Sequence, residues 1–335
     1  MASLSNWTFT AFPPLPATLL PNVAIYNATN NYLNLTYQIT LSFPFEWGGP
    51  TISDLPSNLS SSYTLTWYVT DGNALALTAA ENLHRRKPVE STQPDTLVVS
   101  IGYPFTDRVY DLSRRGYDFR PPYPTDLLGP EPLGTPPSGA DEFIDFISGT
   151  LRPWVQNNVF PSTASINFTR DALYGHSFGG LFVIYALTQS PSLFDTYVAA
   201  SPGLWLYNNS IFSTVSQKLG APFLPGTIMP PISSSNSTSP PDPASPEKSK
   251  PAVFIAYGST EQFPKRRRSW TDAQFWQTRN FLNPLKMTDQ AHDMCDLLVS
   301  SGKFRDVVLK EYDDQDHATV AASALGDGIV YFEDW

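Results

Sequence analysis

Apolar and polar positions alternate with period two from Tyr32 to Phe43, the pattern of a strand with one buried face. The first 45 residues carry no charged side chain, and the stretch to about residue 60 reads as a β-rich N-terminal part. Tyr63 to Val69 (YTLTWYV) predicts a further strand, closed by the turn signal Asp71-Gly72-Asn73, with a short helix over Asn73 to His84. Thr96 to Ile101 (TLVVSI) has the unbroken apolar character of a buried parallel strand. Tyr103 to Pro130 reads as a long loop rich in Arg, Tyr and Pro. Loops of that length inside a compact domain are commonly functional or disordered.

Beyond it, Asp141 to Asn157 is amphipathic with period 3.6 and opens on acidic residues that suit a helix N-terminus. A strand at Ala172 to Tyr174, an apolar helix from Phe178 to Gln189 and a strand at Tyr197 to Ala200 follow. Residues 227 to 250 are rich in Pro and Ser and poor in large apolar side chains, the composition of a flexible insert. Ala252 to Tyr257 (AVFIAY) predicts a buried strand, Thr288 to Ser300 a helix stopped at Gly302, Asp306 to Tyr312 the final strand and Thr319 to Phe332 a closing helix. Strands alternating with helices predict an α/β fold, a mostly parallel sheet with helices on both faces. With no repeat visible, the whole chain, 1 to 335, is expected to form a single domain.

Composition narrows the function. The chain has 335 residues, 41% of them apolar, enough for one large core. Its net charge of −10 argues against nucleic acid, because phosphate contacts need clustered Lys and Arg, and the run Lys265-Arg266-Arg267-Arg268 is too short to reverse that. No apolar stretch approaches the roughly 20 residues of a membrane span. The first basic residue is Arg85 and early prolines interrupt any apolar core, so no secretory signal is expected. A lone cysteine, Cys295, rules out an internal disulfide and favours a reducing, cytoplasmic setting. Seven Asn-x-Ser/Thr sequons, at Asn6, Asn27, Asn34, Asn58, Asn167, Asn208 and Asn236, keep secretion open as the alternative.

The chemistry centres on Gly175-His176-Ser177-Phe178-Gly179, a G-x-S-x-G match between a short apolar strand and an apolar helix. Such a turn exposes a serine hydroxyl at the sheet's carboxyl edge and aims the Phe178 amide at a developing oxyanion. Without chemistry, the same pattern would be an ordinary glycine-rich strand-to-helix junction. Ser177 as a nucleophile needs a base. Among the four histidines, His176 is on the elbow itself and is read as packing beside the site, His84 as solvated beside Arg85 and Arg86, and His292 as exposed. His317 follows the last strand, where α/β enzymes assemble their sites, and is the candidate base. Chain order in this fold runs nucleophile, acid, base, which selects Glu261 as the acid, with Asp313, Asp314 and Asp316 as alternatives. A second oxyanion donor is expected after the Tyr63 to Val69 strand, at the backbone of Gly72 or Asn73; an ordinary turn is the other reading.

Taken together, DGNALALTAAENLHRR, SIGYP, LYGHSFGGLFVIYAL and AASPGLWLYN resemble the putative-esterase family of α/β hydrolases, and within it the siderophore esterases of enterobactin and fusarinine type. The resemblance runs from about Tyr63 to His317. It implies hydrolysis of siderophore esters to release iron, without metal or organic cofactor, by Ser177, His317 and, from its GSTEQ context, Glu261, with Phe178 donating to the oxyanion. Relatives often carry a second Trp after the position of Trp205, where this chain has Leu206. Arg114, Arg115, Tyr117 and Trp205 are read as substrate contacts for an oxygen-rich or anionic chelate, since Arg offers five donors and stacks on rings. Lys265 to Arg268 could steer such an anion. For the arginines and this run, solvated loop is the alternative. A general carboxylesterase or acyltransferase, or a siderophore-binding protein without activity, would use the same scaffold. Small-molecule binding is expected, with no nucleic acid or membrane partner.

Overall fold

The computed structural model describes residues 6–14, 20–104, 108–221 and 250–334. Among the described residues, nine strands form one sheet in the order β1-β2-β3-β5-β4-β6-β7-β8-β9. Strands β1 (Trp7–Ala11), β2 (Val23–Asn30) and β3 (Leu35–Ser42) make an antiparallel arm that joins the parallel part through β5 (Asp95–Gly102). From β5 onward, β4 (Ser60–Val69), β6 (Ser165–His176), β7 (Thr196–Ala200), β8 (Ala252–Gly258) and β9 (Asp306–Tyr312) run parallel. This is the mostly parallel sheet with an N-terminal β region that the sequence pattern implies.

The central parallel strands are apolar where both faces are covered, at β5, β7, β8 and the carboxyl halves of β4 and β6, while the edge strand β9 is only partly buried. Period two divides their side chains between two cores. Tyr68, Leu97, Val99, Leu173, Tyr197, Ala199, Val253 and Ile255 face one, together with α6 (Phe178–Gln189), α7 (Leu206–Leu219) and α9 (Met287–Ser301). Trp67, Val69, Val98, Ala172, Tyr174, Val198, Ala200, Phe254 and Ala256 face the other, covered by α1 (Gly72–Arg86) and α10 (His317–Glu333). Buried on both sides, the strands hold their carboxyl ends as a fixed edge.

Several elements differ from the sequence expectation. The 103 to 130 segment contains two helices, α2 (Leu112–Asp118) and α3 (Thr125–Leu128); α2 starts where the Asp111 carboxylate accepts from the Arg114 amide. Strand β6 begins at Ser165, well before Ala172, since its first half alternates at a partly exposed edge and lacks the continuous apolar run. The amphipathic helix is three consecutive pieces, α4 (Ala140–Asp145), a π-helical turn at Phe146–Leu151 and α5 (Arg152–Asn158). Helix α8 (Asp272–Leu282) has no buried residue, so no apolar stripe announces it; a capping box between Thr271 and Gln274 starts it. The Pro/Ser stretch from 227 to 250 lies outside the described residues, apart from Lys250. Among the described residues, no helix is long and apolar enough to cross a membrane.

Helix α10 lies close to the sheet at Gly328, where an added Cβ would sit 2.9 Å from Val198 Cγ1 and 3.1 Å from Trp67 Cη2. Overpacking a core of this kind costs about 1–3 kcal/mol. Gly328→Val is therefore expected to lower the urea midpoint by that equivalent with an unchanged slope, as read by equilibrium unfolding; an unaltered midpoint would show that α10 can shift freely.

Candidate active site

The parallel strands deliver their next residues to the same edge: Asp71 after β4, Ser177 after β6, Ser201 after β7, Glu261 after β8 and His317 after β9. Ser177 occupies a sharp turn with φ 60° and ψ −116°, a backbone region that costs an L-residue on the order of 1–3 kcal/mol. Three backbone hydrogen bonds secure it: its N–H donates to Ala200 O at 2.9 Å, and its carbonyl accepts from Leu181 N and Gly203 N, each at 3.0 Å. The turn also needs Gly175, where a Cβ would lie 2.1 Å from the Gly179 carbonyl oxygen. Phe178 opens α6, so its amide belongs to a first turn whose N–H groups have no partner within the helix. Gly72 and Asn73 likewise open α1, on the neighbouring strand end. The Asn73 side chain is already engaged, accepting from Tyr103 N at 2.6 Å and donating to Tyr103 O at 2.7 Å.

His317 is the first residue of α10, two residues ahead of the expected helix start. Its Nδ1 lies 3.1 Å from Glu261 Oε1, and the Glu261 side chain is fully buried while the imidazole remains 40% exposed. The Ser201 hydroxyl donates to the same Oε1 at 2.6 Å. The loops after β8 and β9 are joined by Thr260 N and Oγ1 donating to Gln315 O, at 3.2 and 2.7 Å. The acidic residues before His317 are used elsewhere. Asp316 caps α10 by accepting from Ala318 N and Thr319 N; burial pushes its carboxyl up, but these amides hold it below the ordinary value. Asp313 accepts from Ser259, and Asp314 pairs with Lys265. No hydrogen bond joins the Ser177 hydroxyl to His317 among the described residues, a common resting state for such pairs.

His176 is buried, with its ring centroid 4.5 Å from that of His317. Burial first, then the neighbouring charges of His317 and Arg115, push its pKa down to about 3, so its ring is neutral at pH 7. His84 is not solvated as expected: it is half-buried against Phe45, with Nε2 3.3 Å from Phe43 O, because α1 packs under the end of β3. His292 is exposed and hydrogen-bonded to the Tyr257 hydroxyl at 2.8 Å.

The four residues read as substrate contacts separate. Trp205 stands next to the elbow, its ring 6.5 Å from that of Phe178. Arg115 is a correction: only 6% exposed, it is committed to Asp71 through Nε–Oδ1 at 2.9 Å and Nη2–Oδ2 at 3.0 Å, and no longer faces a ligand. Arg114 and Tyr117 line a cavity of about 660 Å³ with Tyr37 and Asp118; neither Ser177 nor His317 lines it. A second cavity, of about 450 Å³, does reach His317 and Glu261, and Lys265, Arg266, Arg267 and Trp270 form its other wall. Three of the four cations of the basic run are paired locally, as Lys265–Asp314, Arg266–Asp272 and Arg267–Asp316. Among the described residues, no group of three or more His, Cys, Asp or Glu side chains could hold a metal ion.

A serine on a strand-to-helix elbow of a mostly parallel sheet, with a carboxylate-bound histidine at the same edge, defines an α/β hydrolase. Residues 122–296 match the family described as "Putative esterase". The chain is 34% identical over 332 residues to the siderophore enterobactin esterase of Emericella nidulans, covering 98% of each. It is 31% identical over 303 residues to the siderophore triacetylfusarinine C esterase of Aspergillus fumigatus, covering 89% of each. It superimposes on the siderophore hydrolase EstA from Aspergillus nidulans with a TM-score of 0.76 at 33% identity, covering 97% of this chain and 98% of that one. The chain belongs to the putative esterase family.

Ser201 and Asp71 are the site residues that sequence reading passes over. Ser201 is visible only as the first residue of SPGLW, and Asp71 only as the start of a turn. The lowered pKa of His176 has a testable consequence. The neutral ring costs nothing above its unfolded pKa of 6.5, and the folded state loses stability as pH falls from 6.5 toward 3, by up to about 1.4 kcal/mol per pH unit. Relative to His176→Gln, the wild type is expected to lose stability at that slope between pH 6.5 and 4.5 in urea unfolding; parallel pH profiles would contradict it.

Proposed function

We propose that the chain is a serine ester hydrolase that cleaves the ester bonds of a siderophore, with Ser177 as nucleophile, His317 as general base and Glu261 as the acid that orients it. The observation that carries this reading is the Glu261–His317 contact of 3.1 Å at the same sheet edge as the strained Ser177 turn. With Nδ1–H donated to Glu261, the imidazole keeps its lone pair on Nε2, free to take a proton. The Ser177 hydroxyl attacks the ester carbonyl carbon as its proton passes to Nε2. The carbonyl oxygen becomes an oxyanion, for which the Phe178 amide and the amide of Gly72 or Asn73 are the donors. Collapse breaks the C–O bond of the ester, and the imidazolium gives its proton to the departing alkoxide. Water, activated by His317, then releases the acid from Ser177. Glu261 stabilises the imidazolium in both steps, and Ser201 holds the carboxylate.

Relatives named as esterases of the siderophores enterobactin and triacetylfusarinine C support a siderophore ester as substrate. Trp205 is assigned the wall beside the acyl group because it stands next to Phe178. The cavity at His317 offers Trp270 and the Arg267 guanidinium, packed at 5.2 Å from that ring, to an arm of the chelate. The cytoplasm is part of the same proposal, on the argument that a chain with one cysteine has no disulfide to gain from an oxidising compartment.

Ser177→Ala is expected to lower ester turnover by about 10⁴- to 10⁶-fold and Glu261→Gln by about 10²- to 10⁴-fold. The measurement is mass-detected hydrolysis of a panel of catecholate and hydroxamate ester siderophores, with fluorophosphonate labelling of Ser177. Full turnover in Ser177→Ala contradicts the mechanism. Tight binding of ferric chelates without hydrolysis or labelling would make the chain a binding protein. Transfer to added alcohols in preference to water would make it an acyltransferase.

A further inference from the structure

Three non-glycine residues with positive φ follow neighbouring strands at the sheet edge, Asp71 after β4, Ser177 after β6 and Ser201, with φ 44°, after β7, and the first two are the ones that open helices directly. Asp71, after β4, has φ 54° and ψ 44°, and Ser177, after β6, has φ 60° and ψ −116°. Strands β4 and β6 are paired neighbours, with Val69 opposite Tyr174, so the two turns start from adjacent positions. Each turn opens a helix, α1 in one case and α6 in the other. Positive φ costs energy and persists only where the surroundings over-determine it.

Arg115 is bonded to both turns. Its Nε–H and Nη2–H form a fork on the two oxygens of Asp71, at 2.9 and 3.0 Å, and Nη2–H also donates to the carbonyl of His176, the residue before Ser177, at 3.3 Å. The rings of Tyr110, Phe119 and Phe178 pack around the guanidinium at 5.2, 5.6 and 5.9 Å, which fixes its plane. Asp71 in turn leans on α6: Oδ2 lies 3.4 Å from where a Gly179 Cβ would stand. Burial pushes the Asp71 carboxyl up, and Arg115 opposes that shift. Removing either partner leaves a buried charge alone, so the pair holds its geometry firmly. A lysine has no planar fork to match the two Asp71 oxygens, and its three donors sit on one nitrogen.

We propose that Arg115 is a positioning residue that sets the spacing between the first turn of α1 and the Ser177 elbow, so that amides from both turns converge on one oxyanion. This rests on reading Ser177 as the nucleophile with oxyanion donors on the two turns. Arg115 touches neither substrate nor reacting atoms in this proposal; it acts through Asp71 and the His176 carbonyl.

The test compares the wild-type chain with Arg115→Lys, Asp71→Asn and the double variant. Three readouts are needed: kcat and KM on a p-nitrophenyl ester, the inhibition constant of a phenylboronic acid that mimics the tetrahedral adduct, and thermal unfolding. Removing one oxyanion donor typically costs 10²- to 10³-fold in kcat, so displacing one is expected to cost about 10- to 100-fold. KM should stay within about twofold, the boronic acid should weaken by the same factor as kcat, and the double variant should be no worse than the weaker single one. Unchanged kcat and boronic acid affinity in a folded variant overturns the proposal. So does a fall in kcat without weaker boronic acid binding, which would mark general loosening. If Arg115→Lys does not fold, Asp71→Asn breaks the same fork and carries the same readouts. Wild-type labelling of Ser177 by a fluorophosphonate separates the two claims: its absence removes the nucleophile and this proposal together, whereas labelling with unaffected variants removes only the role of Arg115.

Discussion

The backbone of Ser177 can hold φ 60° because its polar groups are committed on three sides, to Ala200, to Gly203 and to Leu181. Everything else at the sheet edge is organised around that turn. Strand β7 must lie beside β6 to supply the Ala200 carbonyl, and the segment after β7 must fold back for Gly203 to donate. The side chain-free contact of Gly175 with Gly179 lets α6 leave the strand at so tight an angle. Because the central strands are buried on both faces, the edge cannot relax by sliding, and positive φ persists there at Asp71, Ser177 and Ser201.

The same edge shows two ways of holding a buried carboxylate. Asp71 faces a full positive charge and makes a bidentate pair with Arg115. Glu261 receives the Ser201 hydroxyl and the His317 ring on a single oxygen. A permanent guanidinium suits a strut, since its charge does not change during any step. An imidazole that alternates between neutral and cationic forms needs a partner whose own charge is not already cancelled. The difference between the arginine-paired carboxylate after β4 and the histidine-paired one after β8 matches the roles proposed for them. His176 fits the same logic: burial keeps its ring neutral, so it adds no positive charge beside His317, the proposed base.

Much of this was readable in the sequence, and the exceptions have physical causes. Local signals sufficed for the strands around Trp67, Val98, Val198 and Phe254, because fully buried parallel strands leave unbroken apolar runs. The elbow was readable because its glycines are demanded by contacts a few residues apart. Glu261 was preferred over Asp313, Asp314 and Asp316 on chain order alone, and in the structure those three have other partners: one caps α10, and the others engage Ser259 and Lys265. Arg115 was misread as a ligand contact because its partner is 44 positions away, and nothing local distinguishes a buried guanidinium from an exposed one. Helix α8 left no periodic signal because it buries no side chain. Ser201 was invisible for a similar reason, since a hydroxyl acquires meaning only from the carboxylate that β8 brings to it.

The two halves of the site also differ in stiffness. The Ser177 and Asp71 half is held by buried backbone and by an ion pair whose side chains are 7% and 1% exposed. On the other side, the loops carrying Glu261 and His317 are joined by Thr260 and by two ion pairs, Lys265–Asp314 and Arg267–Asp316, whose side chains are 37% to 66% exposed. Exposed pairs contribute at most about 1 kcal/mol and are screened by salt. His317 therefore combines a buried partner, Glu261, with exposed outer contacts, whereas the contacts around Ser177 are buried throughout. The cavity that Trp270 and Arg267 line lies on this more exposed side, against His317 and Glu261. Under the proposed mechanism, a buried elbow facing a more exposed histidine leaves adjustment to the shape of an ester to the histidine side, away from the amides proposed to receive the oxyanion.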